Sequence, residues 1–219
     1  MGSRMGHLGV AEGLRANLPA WDAEAFAIGS IAPDSGVPDE NRFHYDPPKS
    51  VSHCQLPDED VQYRNADLAF YRRYLLPSAE EQSVARFSFL LGYFFHIVTD
   101  NLVINQAWVP VRDQWAEAFA SREALVRAVR EDWYGLDFIY LRDHPDNFFQ
   151  SCFLQAELLE SYLDFFPVGA IQHNVETIKQ FYQQDGDEAQ AAYDREYRFM
   201  SVAQMDAFVD EAVDTLLTI

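Results

Sequence analysis

Two residues four positions apart, His96 and Asp100, pose the chemical question in this sequence. They lie in ARFSFLLGYFFHIVTDNLVINQAW, where almost every position from Phe87 to Val98 is apolar. On a helix this spacing puts both side chains on one face, about one turn apart. An ionised carboxylate in apolar surroundings is costly unless a positive group meets it. A shared divalent cation meets it and takes the neutral imidazole as well. The spacing alone does not select that chemistry. With 6 His and 35 acidic residues in the chain, an acid four positions after some histidine is expected by chance. A core histidine bonded to Asp100 or to a tyrosine satisfies the same pattern.

Other candidates are scattered. Asp34 follows the small-residue segment FAIGSIAPDSG, where a carboxylate can enter a cavity from a loop, although Pro-Asp-Ser-Gly is also an ordinary turn. His53 sits in KSVSHC, with Lys49, Ser50 and Ser52 beside it. His7 lies near Leu8 and Val10 on a first amphipathic segment, as an interface histidine would. In DWYGLDF, Asp132 and Asp137 flank aromatic residues, and Asp137 lies between Leu136 and Phe138. His44 and His144 read as surface residues.

The elements that must position these groups read as helices. HLGVAEGLRANL is a first helix broken at Pro19, and DAEAFAIGSIA a second, opened by Asp22 and Glu24 and stopped near Pro33. From Pro33 to about Asp60 runs an irregular stretch rich in proline that carries His44 and His53. A loop of that length inside a compact domain is usually functional or disordered, and its histidines favour function. Helices are then predicted for Asp60 to Leu76, for a segment capped by Ser78 with Glu80 and Glu81 in its first turn, and onward past Asp100 to Trp108. Arg112 to Phe119 resumes it after a kink at Pro110. Arg122 to Trp133, Pro145 to Phe165, Pro167 to Gln184 and Asp187 to the C-terminus complete the set. No segment alternates as a strand does. The expectation is an all-α single domain over residues 1–219, a bundle of about eight helices.

Composition limits the rest. The 219 residues suit one domain with a full core, and a hydrophobic fraction of 48% argues against disorder. The formal charge of -19 repels phosphate backbones and anionic headgroups, so no stable nucleic-acid partner is expected. No run reaches the roughly 18 apolar residues that cross a bilayer, so no transmembrane segment is expected. The absence of a secretory pattern, together with only Cys54 and Cys152, points to a cytoplasmic protein.

Taken in order, GSRMGH, IGSIAPDSG, KSVSHC and LGYFFHIVTD resemble the zinc-dependent phospholipase C family, in particular its short bacterial members without a signal peptide. The resemblance spans about residues 3 to 108 and extends more faintly to DWYGLDF. It implies an all-helical fold related to the single-strand zinc nucleases. It also implies zinc, or another divalent metal such as manganese, held by His7, Asp34, His53, His96 and Asp100. Asp34 would bridge or flank the metals and serve as a general base, and Asp100 would bridge. The sequence departs from the family in two ways. Six residues precede His7, where the secreted enzymes use a processed N-terminal residue, and the His-x-x-x-Glu of a third zinc is missing. Asp137 is the best substitute ligand.

A two-metal site of this kind suits hydrolysis of phosphoesters. Small-molecule or lipid-headgroup phosphodiesters are the expected substrates, with Lys49 or Arg86 as candidate substrate contacts. Two other readings stay open: a protein with a structural or sensing metal and no hydrolysis, and a metal-free helical interaction module. The sequence leaves the oligomeric state open.

Overall fold

A computed structural model describes residues 2–15, 17, 21–40, 44–78, 83–157, 162–183 and 186–219. Helix accounts for 68% of the described residues and strand for 6%, so the expected helical class holds in its coarse form. The α-helices in the described residues are α1 (Arg4–Arg15), α2 (Ala23–Gly29), α3 (Lys49–Ser52), α4 (Asp67–Phe70), α5 (Val84–Val103), α6 (Val109–Trp115), α7 (Arg122–Asp143), α8 (Ala170–Gln183), α9 (Asp187–Tyr193) and α10 (Val202–Leu216). Several start where a side chain meets the unpaired amides of the first turn. Asp22 accepts from the Ala25 amide, Ser83 from Arg86 and Ser121 from Ala124. Ser201 and Gln204 cap each other reciprocally at the start of α10.

The axis of the molecule is α5, which buries residues around its whole circumference, from Phe89 and Leu90 to His96 and Asp100. A π-helical turn at Ile104–Trp108 joins it to α6 without a break. Pro110 follows one residue later, and the widened turn accommodates the residue that cannot donate to the ladder. The kink expected at Pro110 is therefore a change of winding within one rod. That rod, Val84–Ala118, is long and apolar enough to cross a membrane by length and composition alone. Of its most apolar window, 78% is buried within the fold, where it packs as the central core helix.

Helix α2 lies against α5 with backbone touching backbone. A Cβ on Gly29 would strike the Phe89 carbonyl, and one on Gly92 would strike the Phe26 carbonyl. Glycine on both helices is what allows this approach, and it decides where Ser30 sits relative to His96.

The structure corrects several expected elements. The long stretch after Pro33 is not irregular throughout. It folds into two antiparallel hairpins, β1 (Val37–Pro38) with β2 (Tyr45–Asp46), and β3 (Gln55–Asp58) with β4 (Gln62–Asn65). The second takes over the start of the helix predicted from Asp60, which begins only at Asp67. These strands show no apolar alternation because neither face enters the core; Leu56 is 59% exposed. Of the helix predicted from Pro145 to Phe165, the described residues show a π-helical turn at Phe149–Phe153, and residues 158–161 fall outside them. The C-terminal helix divides into α9 and α10. The cap of α5 is Ser83 and not Ser78. The predicted roles of Pro19, Glu80 and Glu81 fall outside the described residues.

Candidate metal centre

Four separate segments deliver side chains to one buried point. His7 comes from the second turn of α1, Asp34 ends a 3-10 turn at Ala32–Asp34, and His53 follows α3. His96 and Asp100 come from successive turns of α5. His7, His53, His96 and Asp100 are buried, while the Asp34 side chain keeps 38% of its surface open. Asp100 lies at the centre. Its Oδ1 is 3.5 Å from His7 Nε2, and its Oδ2 is 3.8 Å from His53 Nε2 and 4.0 Å from His96 Nε2. His53 Nε2 is 3.3 Å from Asp34 Oδ1.

These imidazoles do not complete hydrogen bonds with the carboxylates they face. His7 Nδ1 and Nε2, His53 Nε2 and His96 Nε2 are all buried without a hydrogen-bond partner. Such groups are rare in folded proteins because each forfeits its interaction with water. A tetrahedral ion with bonds of about 2.0–2.2 Å places its ligand atoms about 3.3–3.6 Å apart. The shorter separations here, 3.3 and 3.5 Å, match that edge length. Two overlapping sets of donors have this compactness: His7, His96 and Asp100, and Asp34, His53 and His96.

The surroundings prepare the ligands. His96 Nδ1 lies 2.8 Å from the Ser30 carbonyl, which can only accept. Nδ1 therefore carries the proton, and the Nε2 lone pair points into the cluster. His53 Nδ1 lies 2.9 Å from Ser52 Oγ, and Tyr93 donates to the Ser52 carbonyl from α5. This fixes the residue before His53 to the central rod. Asn101 does the same for β4, accepting from the Asn65 amide and donating to its carbonyl. The Gly2 amide donates to Asp100 Oδ1 at 3.0 Å, and a Cβ there would meet His7 Nε2.

Electrostatics favour the charge states that bind cations. Burial, reinforced by the charges of His7 and His53, holds the His96 imidazole well below its ordinary range, hence neutral. Burial and nearby Lys49 lower His53. Burial works to raise Asp100. The positive amino terminus, His7 and His96 overcome it and hold the carboxyl well below the usual range. Burial is likewise overcome at Asp34 by Lys49 and His53. Lys49 Nζ donates to Asp34 Oδ1 at 3.0 Å.

Of the sequence candidates, His7, Asp34, His53, His96 and Asp100 are brought together. Asp137 stands in neither donor set. It is buried as its apolar neighbours implied, but it faces the start of α1. Tyr182 donates to its Oδ2 at 2.6 Å, and Ser3 and the Met5 amide also bond to it. Its carboxylate complements the positive end of the helix that carries His7. Desolvation nevertheless raises its pKa to about 6. Asp132 pairs with Arg195 and accepts from the Arg198 and Phe199 amides. His144 is exposed and stacks on Tyr140. Sequence reasoning missed Ser30 and Tyr93, whose roles depend on packing between helices.

No protein-family model, curated protein or solved structure matches this chain. The resemblance drawn from the ordered motifs therefore stands on those motifs alone.

A large cavity of about 1410 Å³ opens onto Asp100 and Lys49. It runs from the proline-rich loop, past His44 and the β3–β4 hairpin, along the face of α7. Lys49 is on its wall, as a substrate contact would be, and Arg86 is not.

Proposed function

We propose that this cluster is a divalent-metal centre, zinc in the first instance, and that the protein hydrolyses phosphoesters there. The observation that carries the proposal is the set of buried, unpartnered imidazole nitrogens of His7, His53 and His96 facing Asp34 and Asp100 at 3.3–4.0 Å. A purely structural cluster would be more stable with those nitrogens hydrogen-bonded or replaced by apolar groups.

Asp100 presents one oxygen towards His7 and the other towards His53 and His96, so it could be shared by two ions, while His96, with a single free nitrogen, would serve only one of them. Metal pairs in such sites supply hydroxide at neutral pH and stabilise charge on a phosphoryl group. The chain's own residues do the rest. Asp100 sets the spacing between donor groups, and Ser30 fixes the orientation of His96. Asp34 keeps its carboxyl ionised beside Lys49, so it is better suited to ligate and to orient water than to take up a proton. Lys49 places a positive charge where the cavity meets the cluster. The ordered motifs add phospholipase C-like chemistry as the family expectation.

The opening of the cavity onto Asp100 favours hydrolysis over a structural or sensing metal, because a closed site needs no such approach. The test is reconstitution of the purified chain with zinc. Metal content is measured by elemental analysis, then turnover of bis(p-nitrophenyl) phosphate with and without chelator. Turnover that a chelator abolishes and zinc or manganese restores is expected. A chain that binds no metal eliminates the centre, and a loaded chain without turnover on any phosphoester leaves the structural reading.

A further inference from the structure

Beyond the cluster, the cavity wall carries two cations for which no described residue supplies an ion pair. Arg127 and Arg130 lie three positions apart on α7, and both line the cavity that opens onto Asp100. That spacing puts them on one face of the helix. Both are exposed, and neither has an ion pair or hydrogen bond among the described residues. The other arginines of the same wall are engaged. Arg122 donates to the Val61 carbonyl and covers the Trp108 ring, and Arg195 is held by Glu131 and Asp132. The contrast matters in a chain of net charge -19, where carboxylates are plentiful and an arginine pair without one is unexpected.

The pair is electrostatically linked to the cluster. The charge of Arg130 is felt at Lys49, which bonds Asp34, and at Tyr134, one turn further along the wall. Arg127 lies about 4.5 Å further along the helix axis, at about 1.5 Å per residue. Beside them the wall carries apolar Val126, Phe138 and Phe181 together with the carboxylates of Glu123, Glu188 and Glu131, the last of these paired with Arg195. A ligand held at Asp100 thus has a hydrocarbon-compatible path leading past two guanidinium groups, whose planar donor forks suit phosphate or carboxylate.

We infer that Arg127 and Arg130 form a second anion subsite, and that the substrate is a phosphoester whose organic part carries a further phosphate or carboxylate. This rests on the metal-centre reading for its first anchor. It goes further, because a zwitterionic or neutral organic part would leave both guanidinium groups unanswered.

The test compares ligands that differ only in the second charge. Alkanediol bisphosphates of short, medium and long chain are titrated by calorimetry into the zinc-loaded protein, each against the alkyl monophosphate of equal length. At least one bisphosphate is expected to bind about tenfold or more tightly than its monophosphate, the gain expected from charge-assisted pairing. In the Arg127→Gln/Arg130→Gln variant that advantage disappears, with bisphosphate affinity falling far more than monophosphate affinity, and in Arg127→Lys/Arg130→Lys part of it survives. A loaded protein that binds both members of every pair equally overturns this inference and leaves the metal centre standing. So does an advantage that persists in the glutamine variant. A chain that takes up no zinc, recognised by elemental analysis before any ligand is added, brings down the metal centre and this inference with it.

Discussion

The imidazoles of His7 and His96 stack face to face, with ring centroids 3.8 Å apart and planes inclined by 12°. Two imidazolium rings at that separation would repel strongly in a buried site. The two rings therefore cannot both be charged, and burial keeps the His96 ring neutral with its Nε2 lone pair available to coordinate a metal.

Zinc is accordingly expected to stabilise the protein. At a concentration about 100-fold above its dissociation constant it adds about 2.7 kcal/mol. For a chain of this size that corresponds to roughly 5–10 °C in Tm. The shift should vanish in His7→Ala and His96→Ala and persist in His144→Ala, whose side chain is remote and exposed. Equal shifts in all of these variants, read by thermal unfolding with and without zinc, would count against the cluster as the binding site.

Asp137 predicts a pH dependence of stability. Its folded pKa, about 6, lies above the ordinary 3.8, because burial favours the protonated form. The stability it contributes is full below the ordinary value and is lost as pH rises through about 6, in total on the order of 3 kcal/mol. Asp137→Asn should remove that component, so the variant gains on the parent as pH rises from about 4 to about 8. Denaturant titrations across the range check this, and parallel curves for the two proteins would refute it.

Gly92 predicts a link between helix packing and metal affinity. Alanine there pushes α2 away from α5 by its contact with the Phe26 carbonyl, and overpacking of this kind costs about 1–3 kcal/mol. The same displacement loosens the Ser30 carbonyl from His96. Loss of such an outer hydrogen bond typically weakens a metal site by about 10–100-fold. Competition with a chromophoric chelator measures the affinity, and a Gly92→Ala protein that is destabilised yet binds zinc as before would dissociate the two effects.

Asn101 predicts where the β3–β4 hairpin is tied down. Asn101→Ala removes both bonds to the Asn65 backbone, leaves those groups unpaired, and should cost about 2 kcal/mol. Amide exchange at Asn65 should accelerate selectively. Unchanged protection there would mean that the hairpin is held by other contacts.

What the sequence disclosed follows from where each signal resides. His96 and Asp100 were legible because one helix holds both, and local spacing translates directly into a shared face. The apolar run around them correctly implied burial. His7, Asp34 and His53 were legible only through ordered motifs, since no periodicity relates residues that meet through tertiary packing. Asp137 shows the limit of reasoning from burial. Its neighbours Leu136 and Phe138 implied an interior position, but not that the carboxylate would turn towards Ser3, Met5 and Tyr182. The hairpins escaped because Leu56 and Tyr63 are exposed, so their strands carry no alternating signature. Arg127 and Arg130 were in plain view in the sequence, yet that no described residue pairs with them is a property of the cavity wall.

Gly2 sets a practical rule for handling the protein. With its amide on Asp100 and a Cβ position that would meet His7, Gly2 lies at the rim of the cluster, and chain added upstream of it starts close by. An affinity tag rich in histidine at that end would supply competing imidazoles within reach of the same ions and distort both metal counts and turnover. Ile219 is 70% exposed, so the opposite end is the place for a purification handle.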